Sequence, residues 1–327
     1  MHQPVQPIKL IAIDIDGTLL NRDKRITQRT REAIQAAQAA GITVTLATAR
    51  RYENSMPFAE ELLQYPQIDR RHKENLAPLP ALLAVDNANG TIPNMPSSQM
   101  PLLLCDGALT MQYPQHTVIA THLFDADIAQ QVADTMVQHA VQPIVHHMTE
   151  QGEETWSGPQ EFDNAELATY FNYYPNVKRH THSTLCTGKP APLRIVAFTS
   201  IETINTIVPH LARHDCTCYT IERGIYNCAE IVTMNKSCSK ATGLTALAQR
   251  LAIPMDQVMA IGDGVNDREM LQAAGWGVAM GHASNALKAV ADAVTGNNTE
   301  DGAAQAIERY ALRWERDSAS NSLKRAI

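Results

Sequence analysis

At 327 residues the chain exceeds what one core usually fills, since domains cluster at about 100–200 residues, so two domains are expected. Its 44% hydrophobic and 19% charged content is that of an ordinary soluble globular protein. The formal charge of −7 argues against nucleic acid as the main ligand, which favours a basic face.

No stretch approaches the ~20 apolar residues of a membrane helix. Met1–Lys9 also lacks the charged region, apolar run and cleavage-like site of a secretory signal, so a cytoplasmic protein is expected. Six cysteines in that setting read as reduced thiols. Cys216 and Cys218 are too close for a zinc-finger pair, and Cys228 and Cys238 do not complete one. Twelve histidines show no HExxH-like spacing and are expected mostly on the surface.

In chain order, Lys9–Ile13 is rich in β-branched residues and reads as a strand covered on both faces. It stops at Asp14 and Asp16, one residue apart, and Gly17 lets the chain turn away. Open α/β sheets place their chemistry at such carboxyl strand ends. Strand alternation would turn both carboxylates to one face, where they repel unless a cation or proton lies between them. As ordinary turn residues they would need no such ion, but three later stretches agree with the first reading.

Thr27 is a helix N-cap candidate for Gln28–Ala40, whose Ala33, Ile34, Ala37 and Ala40 form one stripe ended by Gly41. Ile42–Leu46 is a second buried strand, completing a right-handed βαβ unit. Thr48 and Arg50 follow it at the same sheet edge as Asp14. A hydroxyl and a guanidinium there suit a phosphate; equally, Thr48 could cap the next helix. Glu60–Met100 has no sustained period and reads as a helix end, one short strand at Leu79–Val85 and a long surface loop.

Pro101–Cys105 is a strand entering a hairpin through Asp106–Gly107–Ala108, with Leu109–Tyr113 as the return. Beyond it the spacing predicts helices at Asp125–His139 and Glu202–His214 and strands at Val141–His146, Pro192–Thr199 and Cys216–Glu222. Thr149–Pro190 reads as polar and loop-rich. The first domain resumes near Tyr226. Ser239 is an N-cap candidate for Lys240–Leu251. Lys240 opposes the dipole there and by itself reads as a solvated surface lysine. Gln257–Ile261 is a strand running into Gly262–Asp263–Gly264–Val265–Asn266–Asp267, which projects Asp263, Asn266 and Asp267 from one sheet edge. Trp276–Met280 is a further strand, Ser284–Ala293 and Asp301–Leu312 are helices, and Arg313–Ile327 is a frayed tail.

Asp14–Ile15–Asp16–Gly17–Thr18, then Thr48, Lys240 and the Gly262–Asp267 run, occur in the order of the haloacid dehalogenase superfamily. The chain most resembles its Cof-type sugar-phosphatase branch, over residues 1–50 and about 226–300. The resemblance implies an α/β fold with a Rossmann-like parallel sheet core (1–111 and 225–327) and an inserted α/β cap domain (112–224), which would close over the site and supply most substrate contacts. It implies that Asp14 is the nucleophile, forming an aspartyl-phosphate, and that Asp16 is the general acid, then base. Thr48 and Lys240 join them as catalytic residues. Phosphate oxygens would be held by Thr48, Lys240, Asn266 and the amides of Ile15 and Ala49, with Arg50, Asp106 and Gly107 near the substrate. Mg2+ would sit on Asp14, Asp263 and the backbone carbonyl of Asp16, supported by Asp267.

Two positions depart from the family pattern: Ala49 stands for a usual Gly, and Asp106 for the Asn of an Asn–Gly–Ala hairpin. A carboxylate at the substrate entrance would disfavour a second anionic group on the substrate. The expected function is a Mg2+-dependent phosphatase of a small phosphorylated metabolite. A phosphoryl-transferring mutase would use the same residues. A non-catalytic binding protein should have lost Asp14, Asp16, Lys240 or Asp263, and none is lost.

Overall fold

The computed structural model describes residues 3–64, 92, 95–149, 152–187, 191–222 and 228–312. The strand expected at Leu79–Val85, most of the long loop around it and the tail from Arg313 lie outside them. The described chain divides into two compact units, one ending at residue 120 and resuming at 239, the other spanning 121–238.

The first unit opens with β1 (Leu10–Ile13), buried at every position. An irregular turn, Ile15–Leu19, leads to α1 (Gln28–Ala39), where Thr27 accepts the amide of Thr30 as the cap. Then come β2 (Thr43–Ala47), α2 (Tyr52–Leu62), β3 (Met100–Leu104), β4 (Leu109–Tyr113) and β5 (Thr117–Thr121).

The second unit comprises α3 (Ala126–Gln138), β6 (Ile144–Thr149), β7 (Gly152–Ser157), α4 (Ala165–Tyr173), β8 (Val177–Arg179), β9 (Pro192–Thr199), α5 (Ile201–Leu211), β10 (Cys216–Ile221) and β11 (Ala229–Asn235). Its sheet order is β10-β11-β9-β6-β7-β8, antiparallel except for the β7–β8 pair. Val132, Ala133 and Met136 of α3 and Ile204, Ile207 and Leu211 of α5 share a core with Ile195 and Ala197 of β9. On β9 the alternate residue Phe198 stacks on Tyr170 of α4, ring centroids 5.0 Å apart.

Three expectations change here. The polar run Thr149–Pro190 carries β7, α4 and β8; in β7 only Gly152, Thr155 and Ser157 are buried, so no apolar pattern announced the strand. His146 and His147 are buried rather than on the surface. A bulge between them lets both rings find partners, the Tyr170 hydroxyl at 3.1 Å and the Leu185 carbonyl at 3.0 Å. The boundaries expected at 112 and 224 also move, because β5 lies in the first unit's sheet while β11 pairs with β9 and β10 in the second's.

The chain returns to the first unit with α6 (Lys240–Arg250), β12 (Val258–Gly262), α7 (Arg268–Ala273), β13 (Trp276–Ala279), α8 (Asn285–Lys288), β14 (Ala293–Val294) and α9 (Gly302–Ala306). The helix expected over Ser284–Ala293 is only α8, because Ala293 already pairs with Val278 in the sheet. The strand order is β14-β13-β12-β1-β2-β3-β4-β5, parallel from β14 to β3. Chain order runs outward on both sides of the β12–β1 pair, so the topological switch point lies there. Leu10, Ala12, Val258 and Ala260 pack on one face against Leu244 and Ala248 of α6 and Met270 of α7.

All six cysteines are free thiols, as expected, and burial pushes the Cys186 thiol up to about 12. Among the described residues no helix is long and apolar enough to cross a membrane.

Candidate active site

Parallel pairing puts the carboxyl ends of β1, β2, β3, β12 and β13 at one sheet edge, and the expected residues arrive there on the loops that follow. Asp14 directly follows β1, and its amide donates to the Ile261 carbonyl of β12 at 3.0 Å. Asp263 directly follows β12. Gly17, at φ +86°, makes room between them: a Cβ there would collide with the Asp263 carboxylate. Thr18, one residue on, donates its hydroxyl to Asp263 Oδ1 at 2.8 Å.

Lys240 arrives on α6, whose N-terminus is set by a reciprocal Ser239–Thr242 capping box. Gly107 admits that N-terminus: at φ +95°, a Cβ would strike the Ser239 carbonyl. Lys240 is therefore not the solvated lysine that residue statistics favour, being 1% exposed. Its ammonium donates to Asp14 Oδ1 at 2.6 Å and to Asp267 Oδ1 at 2.7 Å. Burial works against its charge, but Asp14 and Asp267 outweigh that and raise its pKa above an ordinary lysine's.

Asp267 braces its own loop. Its Oδ2 accepts the amides of Asp263 at 3.0 Å and Gly264 at 2.8 Å, while Oδ1 takes Lys240. Asp14, Asp263 and Asp267 each offer an oxygen within 4.8 Å of the others. Burial raises the pKa of Asp14 well above the carboxylate range; Lys240 opposes this, and Asp267 and Asp263 add to it. Burial likewise raises Asp263, with Asp267 adding and Thr18 and His282 opposing. Three carboxylates so close, with only one ammonium among them, suit a small divalent cation with hard oxygen ligands. Asp267 already accepts three hydrogen bonds, against one each on Asp14 and Asp263, so the latter two have the most capacity left for it.

Asp16 departs from the expected picture. Its carboxylate is not in that cluster; it takes Arg50 in a bidentate pair at 2.6 and 2.7 Å, with Lys24 at 3.6 Å. Two neighbouring carboxylates thus avoid repulsion by finding separate cations, rather than sharing one. Burial would raise the Asp16 pKa, yet Arg50 and Lys24 outweigh it and hold the group below the usual carboxylate range. Arg50, expected beside the phosphate, is accordingly an ion-pair partner of Asp16.

Thr48 is not the helix cap: α2 has Arg51 in that position, and the Thr48 hydroxyl instead accepts the Arg50 amide at 3.1 Å. The β3–β4 turn ties this loop down, with the Cys105 and Asp106 amides donating to the Arg50 and Thr48 carbonyls, both at 3.0 Å. The amides of Ile15 and Ala49 stand where β1 and β2 end. Asp106 is 2% exposed and accepts from Asn266 Nδ2 at 2.9 Å. It is therefore no entrance carboxylate; burial and Asn266 bind it into the base of the site, and it adds to the negative field on Lys240.

Sequence reasoning missed two residues. Thr18 sat unassigned within the first motif. His282, whose Nε2 lies 3.4 Å from Asp263 Oδ2, follows β13, and the parallel end of that strand was its only signal.

The family model for haloacid dehalogenase-like hydrolases matches residues 11–68 and 87–307. The chain belongs to the haloacid dehalogenase-like hydrolases. This hydrolase is 26% identical over 93% of its length to 96% of the 5-amino-6-(5-phospho-D-ribitylamino)uracil phosphatase of Bacillus subtilis. It is 25% identical over 93% of its length to 99% of the pyridoxal phosphate phosphatase of Escherichia coli. A solved haloacid dehalogenase-like hydrolase from B. subtilis shares its fold, with a TM-score of 0.67, 22% identity, and coverage of 92% of this chain and 99% of that one. The expected family and its Cof-type branch are met, and the hydrolase is a phosphoric monoester hydrolase.

Proposed function

We propose that this hydrolase is a Mg2+-dependent phosphatase of a small phosphorylated metabolite, working through an aspartyl-phosphate on Asp14. The observation that carries the reading is the state of Asp14: buried, gripped at one oxygen by a buried lysine and clustered with Asp263. Lys240 orients the carboxylate and keeps positive charge beside the incoming phosphoryl group. The other Asp14 oxygen attacks phosphorus and the ester oxygen departs, splitting one difficult displacement into two. Asp16 gives the departing oxygen a proton and later removes one from the water that cleaves the acyl phosphate. As an anion paired with Arg50 it is ready for the second task; the first requires that pairing to loosen and a proton to be taken up. The Thr48 hydroxyl and the amides at the ends of β1 and β2 supply donors for phosphate oxygens. Asp14, Asp263 and the Asp16 carbonyl would hold the Mg2+, which offsets charge on the transferring group.

Relatives named for pyridoxal phosphate and for a phosphoribityl pyrimidine support a small phosphometabolite as the substrate class. The test is phosphate release from a panel of sugar, nucleotide and cofactor monophosphates, with Mg2+ and with chelator, beside Asp14→Asn. Turnover needing both the metal and Asp14 is expected; no turnover from folded, cation-binding protein would overturn the phosphatase reading.

A further inference from the structure

We infer that His282 is a further residue of the cation site, holding Asp263 in the orientation that receives the metal. This rests on the reading of Asp14 and Asp263 as cation ligands. His282 Nε2 lies 3.4 Å from Asp263 Oδ2, and the imidazole is about a third exposed, with 34% of its side chain accessible. The ring is held there by a tied turn. The Met280 amide donates to the Gly262 carbonyl at 3.0 Å, so the turn hangs on the residue before Asp263. The Ala283 amide closes it onto the Met280 carbonyl at 3.0 Å, and Gly281 is pinned to the Gly296 carbonyl at 3.0 Å. Ser284 then caps α8 through the Leu287 amide at 3.2 Å.

Asp263 is the carboxylate for which such support matters most. Asp267 is fixed at both oxygens by Lys240 and two amides, and Asp14 is fixed at one by Lys240. Asp263 has Thr18 on Oδ1, and His282 is the side chain beside Oδ2. With Thr18 on one oxygen and His282 beside the other, rotation of the carboxylate is restricted, while it carries fewer donors than the three on Asp267. Groups that orient metal-binding carboxylates in this way commonly govern metal affinity by 10–100-fold.

The test is Mn2+ binding to the full chain without substrate, read from the electron paramagnetic resonance signal of free aqueous Mn2+. His282→Ala should weaken binding roughly tenfold, and His282→Gln, whose amide nitrogen reaches the position of the imidazole Nε2, should recover part of that loss. Asp263→Asn serves as the reference for loss of the cation site, and circular dichroism checks that each variant folds. Phosphate release by His282→Ala should need a roughly tenfold higher Mg2+ concentration for its half-maximal rate than the parent. If His282→Ala binds Mn2+ as tightly as the parent while Asp263→Asn does not, the proposal is overturned and the cation site stands. If Asp263→Asn also binds unchanged, both fall, and the fault lies with the cation-site reading.

Discussion

In the first unit's sheet the strands from β14 to β3 run parallel; in the second unit's sheet all pairs but β7–β8 run antiparallel. Parallel strands deliver the loops after β1 and β12 to the same edge, and the start of α6 brings Lys240 to it, so Asp14, Lys240 and Asp267 meet within hydrogen-bonding distance. Antiparallel strands send successive loops to opposite edges, and the second unit's buried polar residues serve its own packing instead. Arg194 donates to His146 at 3.1 Å, which pairs with Tyr170, and His147 lies against Trp156, with ring centroids 4.1 Å apart. Buried polarity therefore takes a different form in each unit: charge gathered at one sheet edge in the first, hydrogen bonds satisfied in a core in the second.

The sharpest way to break that contrast is to remove charge from the first unit. Asp14→Asn should abolish phosphate release, by a factor on the order of 10⁴ or more, since the proposed nucleophile is lost. Near-normal turnover would show that the cluster is not catalytic. Lys240→Met should also be inactive, and it should cost about 3–5 kcal/mol in urea unfolding because two buried carboxylates lose their shared partner. Gly107→Ala acts through the backbone: a side chain at φ +95° against the Ser239 carbonyl should cost about 1–3 kcal/mol and displace α6. Its activity should fall more than its stability suggests, because α6 carries Lys240.

Arg50→Ala sharpens the distinction between the two first-motif carboxylates. The Asp16 pKa, depressed by Arg50, should rise toward the ordinary 3.8, as followed by carboxyl-carbon NMR. A depressed carboxylate stabilises the fold above its unfolded pKa and loses that contribution as pH falls through the folded value. The stability gap between parent and Arg50→Ala should therefore be steady at neutral pH, begin to narrow near 3.8 and close as the pH falls through the depressed folded value. The mildest change belongs to the second unit. Tyr170→Phe removes the hydroxyl paired with His146 and should cost about 0.5–1.5 kcal/mol, leaving Mn2+ affinity untouched.

The chain itself marked the parallel core, because β1 and β12 are short apolar runs and β2 sets Val44, Leu46 and Ala47 around two threonines, each strand ending at Asp, Gly or Thr. It likewise marked Asp14, Asp16, Thr48, Lys240, Asp263 and Asp267, since their order and local turns carry the signal. Tertiary structure alone decided the partners. Whether Asp16 faces a shared cation or Arg50, whether Asp106 is at an entrance or buried on Asn266, and whether Lys240 is solvated or sealed all depend on residues 34 to 226 positions away. The second unit was less legible for a related reason. Strands such as β7 bury alternate polar residues whose hydrogen bonds are completed only across the sheet, so nothing in their local sequence distinguishes them from loop.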